Sequence, residues 1–135
     1  MATPVEIASI DHFVLTVADI GAACAFYEKA LGMSVERFRP ADGSAERVAL
    51  KFGRQKINLH QAGAEFTPHA RKPVSGSGDF CLIASTPITQ VQTHLIACGV
   101  AIELGPVPRT GATGKLMSIY FRDPDGNLVE VSNLQ

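Results

Sequence analysis

Apolar and polar residues alternate along several short segments of this chain, and a longer segment between them carries apolar residues at helical spacing. Phe13, Leu15 and Val17 occupy every second position of a segment that predicts a strand over 9–17. Asp19 just after that strand is typical of a helix N-cap, and Gly32 is typical of a helix stop, so a helix is predicted over 20–31. Turn residues then separate three more predicted strands, at 34–38, 46–52 and 55–61.

The second half of the chain repeats these helix-start and helix-stop residues at a constant offset. Gly32 and Gly99 stand 67 residues apart, and so do Asp19 and Thr86, which we interpret as the cap of a second helix. The repeated unit is predicted to contain a strand at 79–84, a helix at 87–98, and strands at 100–104, 116–122 and 127–133. We therefore predict an α+β domain over 8–133 with two tandem βαβββ modules, near 8–62 and 77–133, joined by a loop-like linker at 63–76.

Strand alternation sorts the side chains of both modules into two faces. The strictly apolar face of each strand should pack on the helices. The opposite face then collects a polar set that is too large for a core and predicts a lined cavity: His12, Asn58, His60, Asp79, Tyr120, Arg122 and Glu130.

Composition narrows the function classes. The chain has 135 residues and a formal net charge of −1, which fits one domain and gives no electrostatic footprint for nucleic acid. It has neither an apolar run long enough to span a membrane nor a basic-then-apolar N-terminus. Its three cysteines are an odd number and lie in apolar segments, which indicates reduced thiols and a cytoplasmic location.

Two motifs resemble the vicinal oxygen chelate superfamily, which contains glyoxalase I, extradiol dioxygenases and bleomycin-binding proteins. The first is the opening pair of segments Ile10-Asp11-His12-Phe13-Val14-Leu15-Thr16-Val17 and Phe26-Tyr27-Glu28-Lys29-Ala30-Leu31-Gly32-Met33. The second is the closing segment Phe121-Arg122-Asp123-Pro124-Asp125-Gly126-Asn127-Leu128-Val129-Glu130. The resemblance implies that the two modules form a cupped, half-open eight-stranded barrel, and that the protein is a homodimer.

The resemblance also implies a divalent metal site (Zn, Ni, Mn or Fe) whose ligands come from the first and last strand of each module. By this resemblance His12 and Glu130 match family ligands, and Asp79 stands where the family often has histidine. The fourth position falls on Asn58 if the turns before the last strands are aligned. It falls on His60 if ligand chemistry decides, because an imidazole is the better donor.

Three functions follow from this resemblance. The leading hypothesis is a metal-dependent lyase or isomerase acting on a small oxygenated metabolite, with a glutathione hemithioacetal as one candidate. In it Glu130 would move a proton, and Tyr120, Arg122 and Asn58 would bind substrate. An alternative is a metal-free protein that sequesters a small molecule. The second alternative is an extradiol dioxygenase using His12, His60 and Glu130.

Overall fold

The order strand, helix, three strands occurs twice along the chain, as the sequence predicts. The structure, a computed structural model, describes residues 4–135. The first module contains β1 (His12–Val17), α1 (Ile20–Leu31), β2 (Ser34–Phe38), β3 (Arg47–Phe52) and β4 (Gln55–Gln61). The second contains β5 (Asp79–Ile83), α2 (Ile88–Ala97), β6 (Leu104–Thr110), β7 (Lys115–Arg122) and β8 (Leu128–Leu134). The predicted α+β class is confirmed.

Each module forms its own four-stranded sheet, and the two sheets have the same topology. The orders are β1-β4-β3-β2 and β5-β8-β7-β6. In each sheet the first and last strands of the module are parallel neighbours, and the other pairs are antiparallel. The result is a cupped, open pair of sheets and not a closed barrel, and β1 and β5 lie at sheet edges.

The strand register decides which residues of the two modules are equivalent. His12 pairs with Lys56 in the first sheet, and Asp79 pairs with Leu128 in the second. Since His12 and Asp79 are related by the 67-residue repeat, the residue equivalent to Glu130 is Asn58. His60 lies two residues further along β4, on the same face, and is equivalent to Ser132.

The apolar faces of both sheets pack against the helices in one continuous core. The alternating set predicted for it is buried: Leu15, Val17, Ile57, Leu59, Ile119, Phe121, Val129 and Val131. Ala23, Tyr27 and Ala30 of α1 and Ile88, Val91 and Leu95 of α2 complete this core. Burying each large apolar side chain contributes about 1.5–3 kcal/mol, so this face specifies the fold.

The starts of the two helices are held by equivalent residues that the sequence analysis did not single out. The Asp19 carboxylate accepts a hydrogen bond from the Ala22 N–H, which confirms the predicted cap of α1. The predicted Thr86 cap of α2 is wrong, because Pro87 holds the N-cap position and makes no side-chain cap bond. Instead the Ile88 N–H donates to the Asn133 side chain at 2.7 Å, as the Ile20 N–H donates to that of Gln61 at 3.3 Å.

One predicted strand is misplaced. The sequence analysis puts a strand at 100–104 and an excursion after it, whereas β6 runs from Leu104 to Thr110 and contains Pro106 and Pro108. Both prolines are compatible with this strand because β6 is at the sheet edge and pairs only with β7.

Two side-chain contacts join the two modules. Phe13 and Phe80, which are equivalent in the repeat, stack on each other with ring centroids 5.0 Å apart. On the other side of the junction the Tyr27 hydroxyl donates to the buried Asp123 carboxylate at 2.6 Å. In the part of the chain that the structure describes, no helix has the length and apolar character needed to cross a membrane.

Candidate functional site

The concave face of the first sheet carries the polar residues that the sequence analysis assigned to the cavity. Strand pairing places Thr16 beside His60 and Val14 beside Asn58. Ala49 pairs with Asn58 and Val48 with Leu59, so Arg47 on β3 lies next to His60. Imidazole, amide and guanidinium groups of three adjacent positions therefore share one patch, which we call the Arg47–Asn58–His60 patch.

Buried polar atoms in this patch have no hydrogen-bond partner within the protein. They are the Arg47 Nε, the Asn58 Oδ1 and the His60 Nδ1. His60 as a whole is only 7% exposed. An unpaired buried donor or acceptor costs about 1–3 kcal/mol, so three on neighbouring strand positions are unusual for a surface that has only a packing role.

The side chain of Phe66, from the loop after β4, covers the patch. Its ring stands edge-on to His60 with centroids 5.4 Å apart, and the Arg47 guanidinium carbon lies 4.1 Å from the ring centroid. Burial lowers the pKa of His60, and the Arg47 charge lowers it further. His60 is therefore neutral at pH 7, and the neighbouring guanidinium disfavours a metal cation there.

The concave face of the second sheet has hydroxyl, thiol and carboxylate groups instead. The Ser118 and Ser132 hydroxyls, both fully buried, are 2.6 Å apart. The Ser132 Oγ also contacts the Glu130 carboxylate at 3.3 Å and the Cys81 Sγ at 3.3 Å. Burial raises the pKa of the Cys81 thiol. The half-buried Glu130 supplies the carboxylate of this cluster.

The two predicted substrate-binding residues of β7 have different surroundings. Tyr120 is half-buried opposite Glu130, and its hydroxyl accepts a hydrogen bond from the Arg109 Nε at 2.9 Å. Arg122 is exposed and makes two hydrogen bonds to the Glu103 carboxylate, at 3.0 and 3.1 Å. Tyr120 is thus the strand partner of Glu130, whereas Arg122 is paired with Glu103 at the surface.

His12 and Asp79 lie at the starts of the two edge strands and do not share a cavity. The His12 side chain is 42% exposed, and its Nδ1 lies 2.7 Å from the Asp11 carboxylate. It lines a cleft of about 1180 Å³ between β1, β5 and the chain end. Asp79 lines a different cleft of about 340 Å³, and Phe13 and Phe80 line both clefts.

The predicted metal ligands do not lie in one cluster in the part of the chain that the structure describes. Among residues 4–135, no three His, Cys, Asp or Glu side chains are close enough together to hold one. The predicted set of His12, Asp79, Glu130 and His60 is therefore not assembled within a single chain. His60 pairs with Thr16, four strand positions or about 13 Å beyond His12, which also separates the histidines of the dioxygenase hypothesis.

Comparison with known proteins identifies the family. The sequence profile of the Glyoxalase/Bleomycin resistance protein/Dioxygenase superfamily matches residues 9–131. This chain belongs to that superfamily. It is 54% identical over 123 residues to virulence protein STM3117 of Salmonella typhimurium, covering 91% of this chain and 82% of that protein.

Several solved structures have the same fold. The integron cassette protein VCH_CASS1 of Vibrio cholerae matches with a TM-score of 0.92 and 50% identity, over 98% of this chain and all of that one. A lactoylglutathione lyase of Agrobacterium tumefaciens matches with a TM-score of 0.67 and 29% identity, over 95% of each chain. TnmS3, an antibiotic-binding protein of a Streptomyces species, has a TM-score of 0.73 at 20% identity, over 97% of this chain and 99% of that one, and shows the fold alone.

Sequence reasoning missed three parts of the site. Arg47 was outside the polar set, although it alternates in phase with Ala49 and Lys51 on its strand. Ser118 and Ser132 were also outside that set. Phe66 lies in the linker, and no periodic pattern could assign its contact with His60.

Proposed function

We propose that this protein is a glyoxalase-like lyase or isomerase that acts on a small oxygenated metabolite, with Glu130 as the proton-transferring group. The observation that carries the proposal is the position of Glu130, a half-buried carboxylate among neutral polar groups on a concave face. The 29% identity to a lactoylglutathione lyase over 95% of each chain also supports it.

In this proposal Glu130 accepts a proton from one substrate carbon and returns it to the neighbouring carbon. The hydroxyl proton on the oxygen of the first carbon passes to the carbonyl oxygen of the second, so the hydroxyl and the carbonyl exchange places. No electron or atom is gained or lost overall, so the reaction needs no external oxidant. A half-buried carboxylate with one oxygen hydrogen-bonded to Ser132 suits this role, because it can hold the proton between the two transfers. Tyr120, the strand partner of Glu130, would orient a substrate oxygen through its hydroxyl.

A second copy of the chain completes the site in this proposal. The edge strands β1 and β5 begin with His12 and Asp79, and edge strands are usually covered or paired. Exposed apolar side chains lie beside them, including Ile10, Val14 and Ile83. Since no three candidate ligands cluster within residues 4–135, a divalent ion at His12, Asp79 and Glu130 would be held by the homodimer, and no step is assigned to it.

The test compares Glu130→Gln with Glu103→Gln, a carboxylate of the same module that is exposed and paired with Arg122. The assay is turnover of methylglyoxal–glutathione hemithioacetal after incubation with Zn, Ni, Mn or Fe(II). We expect Glu130→Gln to lose about 100-fold or more of the rate and Glu103→Gln to keep it. Wild-type protein that turns over no hemithioacetal with any of these ions, or an active Glu130→Gln, contradicts the proposal.

Metal content and mass test the role of the second chain. Elemental analysis of tag-free protein should give a metal stoichiometry that His12→Ala abolishes, and light scattering should give a dimer. A monomeric protein that retains metal contradicts the two-chain site.

The second candidate is a metal-free protein that binds and sequesters a small molecule. It is favoured by Asn58, which replaces a carboxylate at the position equivalent to Glu130, and by the separation of the metal set within one chain. Metal-free protein after incubation with all four ions, together with saturable ligand binding and no turnover, would establish this candidate.

A further inference from the structure

We propose that the Arg47–Asn58–His60 patch binds a small carboxylate that carries a hydroxyl group next to the carboxyl carbon. The inference names a ligand class for the concave face and rests on the proposed function only in that choice of face. Binding to the patch is measurable without turnover, so the two proposals fail independently.

The charge of the patch selects an anion. Within residues 4–135 no carboxylate lies within 4.0 Å of the Arg47 guanidinium, although Arg37 and Lys51 nearby are each paired with a glutamate. Glu65, the acidic group next to His60, instead accepts a hydrogen bond from the Gly63 N–H. An unpaired guanidinium with a buried Nε is the group that best recognises a carboxylate.

The Asn58 oxygen selects a hydroxyl. Its Oδ1 is an acceptor without a donor, and a carboxylate cannot supply one. A hydroxyl on the adjacent carbon donates to Asn58 while the carboxylate accepts from the Arg47 Nε–H. His60, whose imidazole is neutral, donates or accepts at Nδ1 and so completes the set.

Phe66 is the cover of this site. Its ring contacts both Arg47 and His60 from a loop outside the sheets, and it is half-buried. A ligand reaches the patch when this one side chain turns aside. The three polar atoms then gain partners that the covered form does not give them.

The experiment is an NMR titration of the full chain at constant ionic strength with glycolate, acetate and glycolamide. Acetate lacks the hydroxyl and glycolamide lacks the charge. The readouts are the Arg47 Nε–H, the Asn58 side-chain amide and the Phe66 ring signals. We expect saturable shifts of all three with glycolate, at least tenfold weaker binding of acetate, and no saturable binding of glycolamide.

Variants separate the two recognition elements. Arg47→Gln should weaken glycolate at least tenfold, whereas Arg37→Gln, which removes a charge from the opposite face of the same sheet, should bind as wild type. Asn58→Leu should abolish the preference for glycolate over acetate while acetate still binds. Wild-type-like glycolate binding by Arg47→Gln, equal binding of glycolamide, or a preference that survives Asn58→Leu overturns the proposal.

Discussion

The two modules share one face and differ on the other. Their apolar faces carry equivalent residues, such as the buried Ile57 and Val129 on the last strands and, on the first strands, the buried Leu15 and the partly buried Leu82. Their concave faces carry cations and amides in the first module and a carboxylate with hydroxyls in the second. Asn58 opposite Val14 and Glu130 opposite Cys81 are the clearest pair, because they occupy the same position in each sheet.

This difference separates the helix-facing residues, which specify the fold, from the concave-face residues, which form the candidate site. A helix-facing position accepts only an apolar side chain of suitable volume, so both copies keep the same pattern. A concave position has no packing partner that fixes its chemistry. The two halves can therefore supply complementary groups to one ligand, which two identical halves could not do.

The largest expected loss of stability concerns the turn 123–127 of the second module. The short turn between β3 and β4 of the first module has no counterpart to it. The buried Asp123 carboxylate accepts from the Tyr27 hydroxyl, the Asp125 and Asn127 N–H groups and the Asn127 side chain. Asp123→Ala should cost about 3–5 kcal/mol of unfolding free energy in a urea titration, since it leaves buried donors unpaired.

Asp42 is the matched control for Asp123. It accepts a similar turn hydrogen bond from the Ser44 N–H, but in an exposed loop. Asp42→Ala should change the unfolding free energy by about 0.5 kcal/mol or less. Equal effects of the two substitutions would contradict the role given to burial.

A smaller effect should be shared by both modules, at the side chains that hold the helix starts. Asn133 accepts from the Ile88 N–H and donates to the Ala84 and Thr86 carbonyls. Gln61 accepts from the Ile20 N–H and donates to the Ala18 carbonyl. Asn133→Ala and Gln61→Ala should each cost about 1–3 kcal/mol by denaturant unfolding. A large effect of one substitution and none of the other would contradict the equivalent roles of Asn133 and Gln61.

The helix caps themselves should differ by module. Asp19→Ala removes the side-chain cap of α1 and should cost about 0.5–2 kcal/mol, measured as a lower thermal midpoint. Thr86→Ala removes no cap bond and should stay within about 0.5 kcal/mol of wild type. A Thr86→Ala protein as destabilised as Asp19→Ala would show that Thr86 does cap α2, as the sequence predicted.

The smallest expected effect concerns Cys81 on the second concave face. Because burial raises the pKa of this thiol, its thiolate fraction at pH 7.5 is lower than that of an ordinary cysteine, and it increases as the pH rises towards the raised pKa. Mass spectrometry after iodoacetamide treatment should show Cys81 modified several-fold more slowly than free glutathione. Modification at the rate of glutathione would show that the thiol is not held in the cluster.

Local patterns were sufficient where a short segment carries all the information. The bounds of β4 and the cap and stop residues of α1 follow directly from alternation and from Asp19 and Gly32. The position of β6 did not follow, because Pro106 and Pro108 indicate a loop unless the strand is known to lie at an edge. The cap of α2 was missed for a related reason, since its partner Asn133 is 45 residues away in sequence.

The candidate site was predicted less completely than the fold. Strand alternation correctly placed Asn58, His60 and Glu130 on concave faces, and the register was needed to pair Asn58 with Glu130. Alternation cannot tell how far apart two strands of different sheets are, so it grouped His12 with Asp79 although they line separate clefts. The contact of Phe66 with Arg47 depends on a loop conformation that no periodicity encodes.

The buried bond between Tyr27 and Asp123 also bears on how a duplicated chain avoids pairing its halves wrongly. Two modules with interchangeable apolar faces could dock in several relative orientations at similar cost. The buried Tyr27 hydroxyl reaches the Asp123 carboxylate in the observed orientation. Other orientations are unfavourable, because each would leave that buried hydroxyl without its acceptor. One asymmetric polar contact thus favours a single relative orientation of the two modules, which hydrophobic burial alone does not specify.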